Sequence, residues 1–447
     1  AFKFAGFLDF NFSATASPTT QTQSGAVQRG ASASPSPNPT KLIRKAGPGS
    51  YSVRTAAGFL SDSNGVIRVA RPDVGKALIR VNDLLRQYKL DAAADVLAPF
   101  DPSNPAIAYA QAILAHHRRR PDDLIEAMKR LRVATANGLR QAFTLNGRLL
   151  LLMINLHDTG RITAADLKSL DGAGRAVAAT KRELAKEAVQ WWERGAAMGD
   201  PASLRYLGMA HALGFGTRRN LTSAIAHWRD AAGRGDHPSQ AELGKIYLFG
   251  MGVMADADKA IDYLRDAVDG RFTVANLPLG YALLKRASGG DEKAEPEARA
   301  ALFAAFRSAP TRHEARQALH LLGVLHQDAV QISARRPKVA AALFHAAFWM
   351  GNLRSGYLLS RAYKAGVGVD IDLERAVVYK TLADVTRSNR KQRDVTAKLA
   401  RDSQLRRDLR KFAGIPRWAK VELNKLSLVP ALRRWDPKRR KRSAKRP

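Results

Sequence analysis

From Pro72 onward apolar residues recur every three or four positions, the spacing that lines one face of an α-helix. The stretch VGKALIRVNDLLRQYKLDAAADVLAPF carries this pattern and stops at Pro99 and the turn DPSNP. Asn104-Pro105 opens the next helix, AIAYAQAILAHHRRR. Pro121-Asp122-Asp123 starts another, with Gly138 as its end signal, and a further helix runs through Leu156. No convincing run of alternating strand residues stands out anywhere, so the pattern predicts an all-α chain. Residues 1–71 differ. They are rich in Ser, Thr, Ala, Pro and Gln, bury too little surface to offset the entropy of ordering, and read as an extended low-complexity tail.

The helical pattern is also periodic on a longer scale. AVQWWERGAAMGDPASLRYLGMAHALGFGTRRN begins at Ala188, a similar unit at Ala224, and a third at Ala260, 36 residues apart. Trp192, Trp228 and Leu264 are equivalent positions, and so are Gly208, Gly244 and Gly280. A fourth unit is blurred and keeps Gly323 in the Leu-Gly slot. A fifth recovers the pattern, with Gly351 matching Gly199, and Gly366 and Gly368 matching Gly214 and Gly216. Gly250 and Gly252 occupy the same slots in the second unit. A glycine inside a helix costs about 1 kcal/mol relative to alanine. Gly208 and Gly244 therefore predict close approach between helices, with the large rings of Trp192 and Trp228 filling the space between hairpins. Asp200, Asp236, Asn220, Asp256 and Asp372 are placed to cap the N-termini of the helices that follow them.

These residues resemble the Sel1-like repeat, a helix-turn-helix relative of the tetratricopeptide repeat. The likeness covers roughly 183–287 well and 298–384 in part, and residues 72–160 look like further degenerate hairpins. It implies a right-handed α-solenoid with extended terminal tails. The implied organisation is an N-terminal tail over 1–71, helical hairpins over 72–180, repeats over 181–386 and a basic tail over 387–447. The family consists mainly of adaptors and scaffolds, so the resemblance implies a protein that binds proteins and has no catalytic site.

The search for chemistry agrees. Gly250-Met251-Gly252 looks at first like a phosphate loop. A phosphate loop needs G-x-x-x-x-G-K-S/T, and a dinucleotide site needs a third glycine after a strand. Neither is present, and the G-x-G recurs from unit to unit, as a connector would. The ten histidines and zero cysteines offer no metal-ligand spacing, and no nucleophile elbow occurs. The sequence thus predicts no catalytic residue, no metal, no cofactor and no small-molecule substrate. No apolar run reaches the about 18 residues that cross a bilayer, so no membrane span is expected.

Charge is the one composition feature that changes this picture. Lys and Arg total 73 against 40 Asp and Glu, a net of +33. From Arg387 to the end there are 22 basic and 5 acidic residues, a net of +17, so about half the excess sits in the last segment. Such a segment attracts phosphates. The residues expected to contact RNA are Arg406, Arg407, Arg410, Lys411, Arg417, Arg433, Arg434, Lys438, Arg439, Arg440, Lys441 and Arg442, with Trp418 and Trp435 stacking on bases. The partners expected are rRNA or another structured RNA, and neighbouring proteins of a large complex. With a start that lacks methionine, this composition resembles a mitochondrial ribosomal protein and leads to an expected location in the mitochondrial matrix. The competing expectation is a bacterial-type or signalling Sel1-like adaptor that binds a partner protein in its concave groove.

Overall fold

In the computed structural model the described residues are 43–47, 50–54, 66–69, 71–118, 121–158, 160, 181–328, 335–387, 415–432 and 434. The chain divides into two compact units between Ser239 and Gln240.

The first unit opens with three strands, β1 (Ile43–Gly47), β2 (Ser50–Arg54) and β3 (Val66–Val69). They form an antiparallel meander in which Ile43 faces Val53 and Tyr51 faces Val69. The sequence pattern had indicated no strand here. Each strand is only four or five residues long, too short for alternation to stand out beside a low-complexity segment. The register slips between Lys45 and Gly47, where the chain turns into β2.

Among the described residues, eight helices and the start of a ninth follow in this unit. They are α1 (Pro72–Arg86), α2 (Leu90–Leu97), α3 (Pro105–Arg118), α4 (Pro121–Ala136), α5 (Arg140–Asp158), α6 (Lys181–Ala197), α7 (Pro201–Leu213), α8 (Leu221–Gly233) and α9 (His237–Phe249). The first periodic stretch is two helices, not one: Tyr88 has φ 56° and breaks it. The start signals work as read. Asn104 Oδ1 accepts from the Ala106 amide at 3.0 Å, and proline occupies the first turn of α1 and α7. Leu78, Ile107, Leu131, Leu149, Trp192 and Leu207 share one continuous core.

The second unit continues with α10 (Ala257–Asp269), a short 3₁₀ turn (Thr273–Ala275), α11 (Asn276–Ser288), α12 (Ala294–Ser308), α13 (Arg312–Gln327), α14 (Pro337–Trp349), α15 (Leu353–Ala365) and α16 (Leu373–Arg387). Two last helices, α17 (Arg417–Lys425) and α18 (Val429–Leu432), complete it. The architecture is all-α apart from the meander: a solenoid of repeated helix-turn-helix units.

The repeat is held by a small set of devices used again and again. The Trp228 indole lies over Gly208, and a β-carbon placed on Gly208 would stand 2.5 Å from Trp228 Nε1. The same nitrogen donates to the Arg205 carbonyl at 3.1 Å. Leu302 sits on Gly280, Leu264 on Gly244 and Phe344 on Gly323 in the same manner. Asn220, Asp256 and Asp372 cap α8, α10 and α16 through the amides of Ser223, Lys259 and Arg375. Asp200 and Asn352 cap α7 and α15, and Asp236 accepts from the Ser239 amide at 3.1 Å in the first turn of α9. Each such cap contributes about 1 kcal/mol.

The G-x-G pairs are joints. Gly214, Gly216, Gly250, Gly252, Gly366 and Gly368 all have φ between 65° and 75°. The amide after each joint returns to the helix just left: Asn220 to His211 O at 2.8 Å, Asp256 to Tyr247 O at 2.9 Å, Asp372 to Tyr363 O at 3.0 Å. Their φ angles thus serve to reverse the chain.

One repeat lies outside the 36-residue period. Trp192 covers Gly147 of α5, and its Nε1 donates to the Thr144 carbonyl at 3.3 Å. Gly147 and Thr144 therefore correspond to Gly208 and Arg205, and α4–α5 is a repeat hairpin. The same three-residue offset recurs in the polar links between hairpins. Thr144 donates to Asp200, Arg205 pairs with Asp236 at 2.5 Å, and His320 Nδ1 meets Ser355 Oγ at 2.9 Å.

The turn between the two helices of a repeat is left-handed at Gly138, Gly199, Gly235 and Gly351. In the third unit the equivalent residue is Arg271, with φ 65°. A side chain in that region costs about 1 kcal/mol. Arg271→Gly is expected to raise stability by about 0.5–1 kcal/mol, read as a higher urea midpoint with unchanged slope. A lower midpoint would mean that the arginine side chain contributes more than the turn strain costs.

Candidate functional site

In each repeat the residue seated on the glycine fixes which way the first helix faces. Two before it, and one, two and five after it, lie the outward positions. In α6 these are Gln190, Glu193, Arg194 and Ala197, all exposed. In α8 they are Ala226, Arg229, Asp230 and Gly233, again exposed. In α10 they are Asp262, Arg265, Asp266 and Asp269. Arg265 reaches α12 through a two-pronged ion pair with Glu297, at 2.7 and 2.6 Å. This pairing raises the arginine pKa and lowers that of the glutamate. The inward residues repeat while this outward stripe varies in charge. That is the distribution expected of a framework that presents a surface.

The stripe changes character at α14. There the outward residues are Ala342, His345, Ala346 and Trp349, the first three buried. They are covered by α17 and α18. Ala419, Leu423 and Leu428 are fully buried in the cluster that holds Ala342, Leu343, Ala346 and Met350, and Leu432 joins it. Trp418 meets the His345 ring edge-on, with centroids 5.5 Å apart.

His345 anchors a polar network under that contact. Its Nε2 lies 3.0 Å from Tyr363 Oη and its Nδ1 3.3 Å from Tyr379 Oη. Arg375 donates to Tyr363 Oη at 3.4 Å. Tyr363 therefore spends its proton on His345 Nε2, and a neutral ring then donates from Nδ1 to Tyr379. Burial, and secondarily the Arg375 charge, hold the His345 pKa down at about 3. Burial pushes both tyrosines up. Arg375 itself is tied to Asp372 at 3.0 Å. The network holds a tryptophan in place. It presents no nucleophile paired with a base, because the imidazole is bonded on both nitrogens and stays neutral.

Among the described residues no three His, Asp or Glu side chains converge to hold a metal ion. No described helix is long and apolar enough to cross a membrane. The repeat residues all have structural places: Trp192 and Trp228 are buried, and Gly208, Gly244 and Gly280 lie under the next first helix. Of the residues expected to touch RNA, Arg417 and Arg434 are exposed and Trp418 is half-buried. The Trp418 ring meets His345 edge-on, with centroids 5.5 Å apart. Arg406, Arg407, Arg410, Lys411, Arg433, Trp435, Lys438, Arg439, Arg440, Lys441 and Arg442 lie outside the described residues. The sequence reading missed the seat on α14. Its signal was a first helix, PKVAAALFHAAFW, apolar on nearly every side.

The Sel1 repeat family matches residues 181–200, 201–236, 237–272 and 353–379. The gap between 272 and 353 spans the unit that lost its G-x-G and the blurred fourth unit, and there the match is narrower than the resemblance had implied. Those four segments are what is similar to the Sel1 repeat. Among solved structures the chain is similar to a Sel1 repeat protein from Oxalobacter formigenes, 18% identical over 61% of this chain and 96% of that one, with a TM-score of 0.40. It is also similar to c5321, a protective antigen of uropathogenic Escherichia coli strains displaying an SLR fold, 16% identical over 72% of this chain and 82% of that one, with a TM-score of 0.30. No curated protein matches.

Proposed function

We propose that this chain is a non-catalytic repeat scaffold that holds a protein partner on the outward stripes of its first helices. The observation that carries this reading is the division of labour within each repeat. Tryptophan, glycine and capping residues are consumed in stacking, while the outward stripe changes in charge from helix to helix. Protein interfaces of this kind gain specificity and encounter rate from charge complementarity. A photo-crosslinking residue at Asp266 of the full-length chain, used in cells of its source, is expected to capture a protein. Crosslinks confined to a probe in 433–447, and then only to RNA, would overturn the reading.

A second reading keeps the basic C-terminus as an RNA contact, favoured by its net charge of +17, from 22 basic and 5 acidic residues. It is the only support for a place in a ribonucleoprotein such as the mitochondrial ribosome. Each phosphate neutralised makes binding fall with salt by nearly one unit of log–log slope. Full-length chain is expected to bind a structured RNA with a slope steeper than about −4, and removal of 433–447 is expected to flatten it. A slope near zero would sink the idea. The cut is made at 433 because Ala419, Leu423, Leu428 and Leu432 are buried against the repeats and their removal would expose that surface.

A further inference from the structure

We infer that the outward face of α14 is a groove for an amphipathic helix, and that α17–α18 is its resident occupant, displaced when a partner helix of the same apolar pattern binds. This rests on the reading of the first-helix stripes as the binding surface. It adds where that surface recognises a helix and what kind of helix fits.

The first support is the contrast in register. Ala342 and Ala346 on α14 stand where α10 carries the exposed Asp262 and Asp266, His345 stands where it carries the half-buried Arg265, and all three are buried. A helix face made of alanines is shallow and lets another helix approach closely. The second is the form of the occupant. α17 has nine residues, and Pro416 at its start provides no side-chain cap. Ser427, just beyond it, adopts φ 56°, a strained turn for a non-glycine residue. A helix this short is unstable alone and exists because of its seat. Its far side carries Arg417, Lys420 and Val421, all exposed, while its buried residues are Ala419, Leu423 and the carboxylate Glu422, which is tied to Lys425 at 3.0 Å, so one face is mainly apolar and the other mainly basic. The third is tethering. Residues 388–414 separate α16 from the segment, so release of α17 leaves the repeats α10–α16 covalently intact.

The seat specifies its guest. Ala419 anchors one turn and Leu423 the next, on the same side of the helix, with Trp418 flanking them against His345. The matching partner is an amphipathic helix with a large aromatic beside a small residue, a leucine four or five positions on, and basic residues on its outer side. His345 meets the aromatic ring edge-on.

The probe is a fluorescein-labelled peptide of residues 415–434, titrated against full-length chains and followed by anisotropy. Wild-type chain, its groove filled, is expected to bind weakly. A chain carrying Leu423→Asp and Leu428→Asp is expected to bind at least tenfold tighter, and adding Ala346→Glu to it is expected to abolish that gain. Equal affinities for wild type and the double variant overturn the proposal. So does loss of the cooperative thermal transition in the double variant, because α17 is then core and not occupant. Hydrogen exchange on the unaltered chain gives a second readout. Amides of 418–432 are expected to exchange well before those of 340–349, and equal protection overturns the proposal. If the peptide fails while crosslinks at Asp266 persist, this inference falls and the scaffold reading stands.

Discussion

Gly208→Ala is expected to lower stability by about 2–3 kcal/mol, although alanine is the better helix former by about 1 kcal/mol. The reason is the space over Gly208. A β-carbon there would lie 2.5 Å from Trp228 Nε1 and 2.6 Å from its Cδ1, and the indole is almost fully buried. The ring cannot step aside without losing its bond to the Arg205 carbonyl at 3.1 Å. Trp228→Ala alone is expected to cost about 3–5 kcal/mol through the cavity it leaves. The pair is expected to be strongly non-additive. In the Trp228→Ala background, Gly208→Ala should cost nothing or recover about 1 kcal/mol, because only the propensity effect remains. Urea unfolding of the four chains measures this cycle. Additive effects would mean that the glycine serves some need other than room for the ring.

That contact also shows what could be read in advance. Gly208 and Trp228 belong to neighbouring hairpins yet lie only 20 positions apart in sequence, and the motif recurs, so periodicity exposes it. Caps at Asn220 and Asp372 are local and were equally legible. Gly147 and Trp192 make the same contact across 45 positions. The longer connection between α5 and α6 breaks the period, and the hairpin was seen only as degenerate. Trp418 lies further still from being legible. Beside Arg417 and ahead of a basic run it reads as a base-stacking residue, and its contact with His345, on a helix far earlier in the chain, has no local signal. Charge is a local property of sequence; the partner that buries a ring is not.

The second unit is expected to lose about 4–6 kcal/mol of stability between pH 7 and pH 5, through three buried histidines. His320 and His326 have pKa values lowered to about 4 and His345 to about 3, each chiefly by burial. Nearby arginines add to it: Arg354 for His320, Arg299 and Arg336 for His326, Arg375 for His345. In the unfolded chain each titrates near 6.5. Below that value the unfolded state takes up protons that the folded state refuses, so the stabilisation is complete above pH 6.5. It is lost as pH falls towards 4, and towards 3 for His345. At pH 5 each group then contributes about 1.5–2 kcal/mol less than at pH 7. His345→Gln keeps hydrogen-bonding capacity beneath Trp418 but cannot take up the proton. Its stability is expected to be lower than wild type at pH 7, with a slope between pH 6 and 4.5 shallower by about 1.4 kcal/mol per pH unit. An unchanged slope would show that His345 is already protonated in the folded chain. The Arg375–Tyr363–His345–Tyr379 bonding order would then be reversed, with the imidazolium donating to both tyrosines.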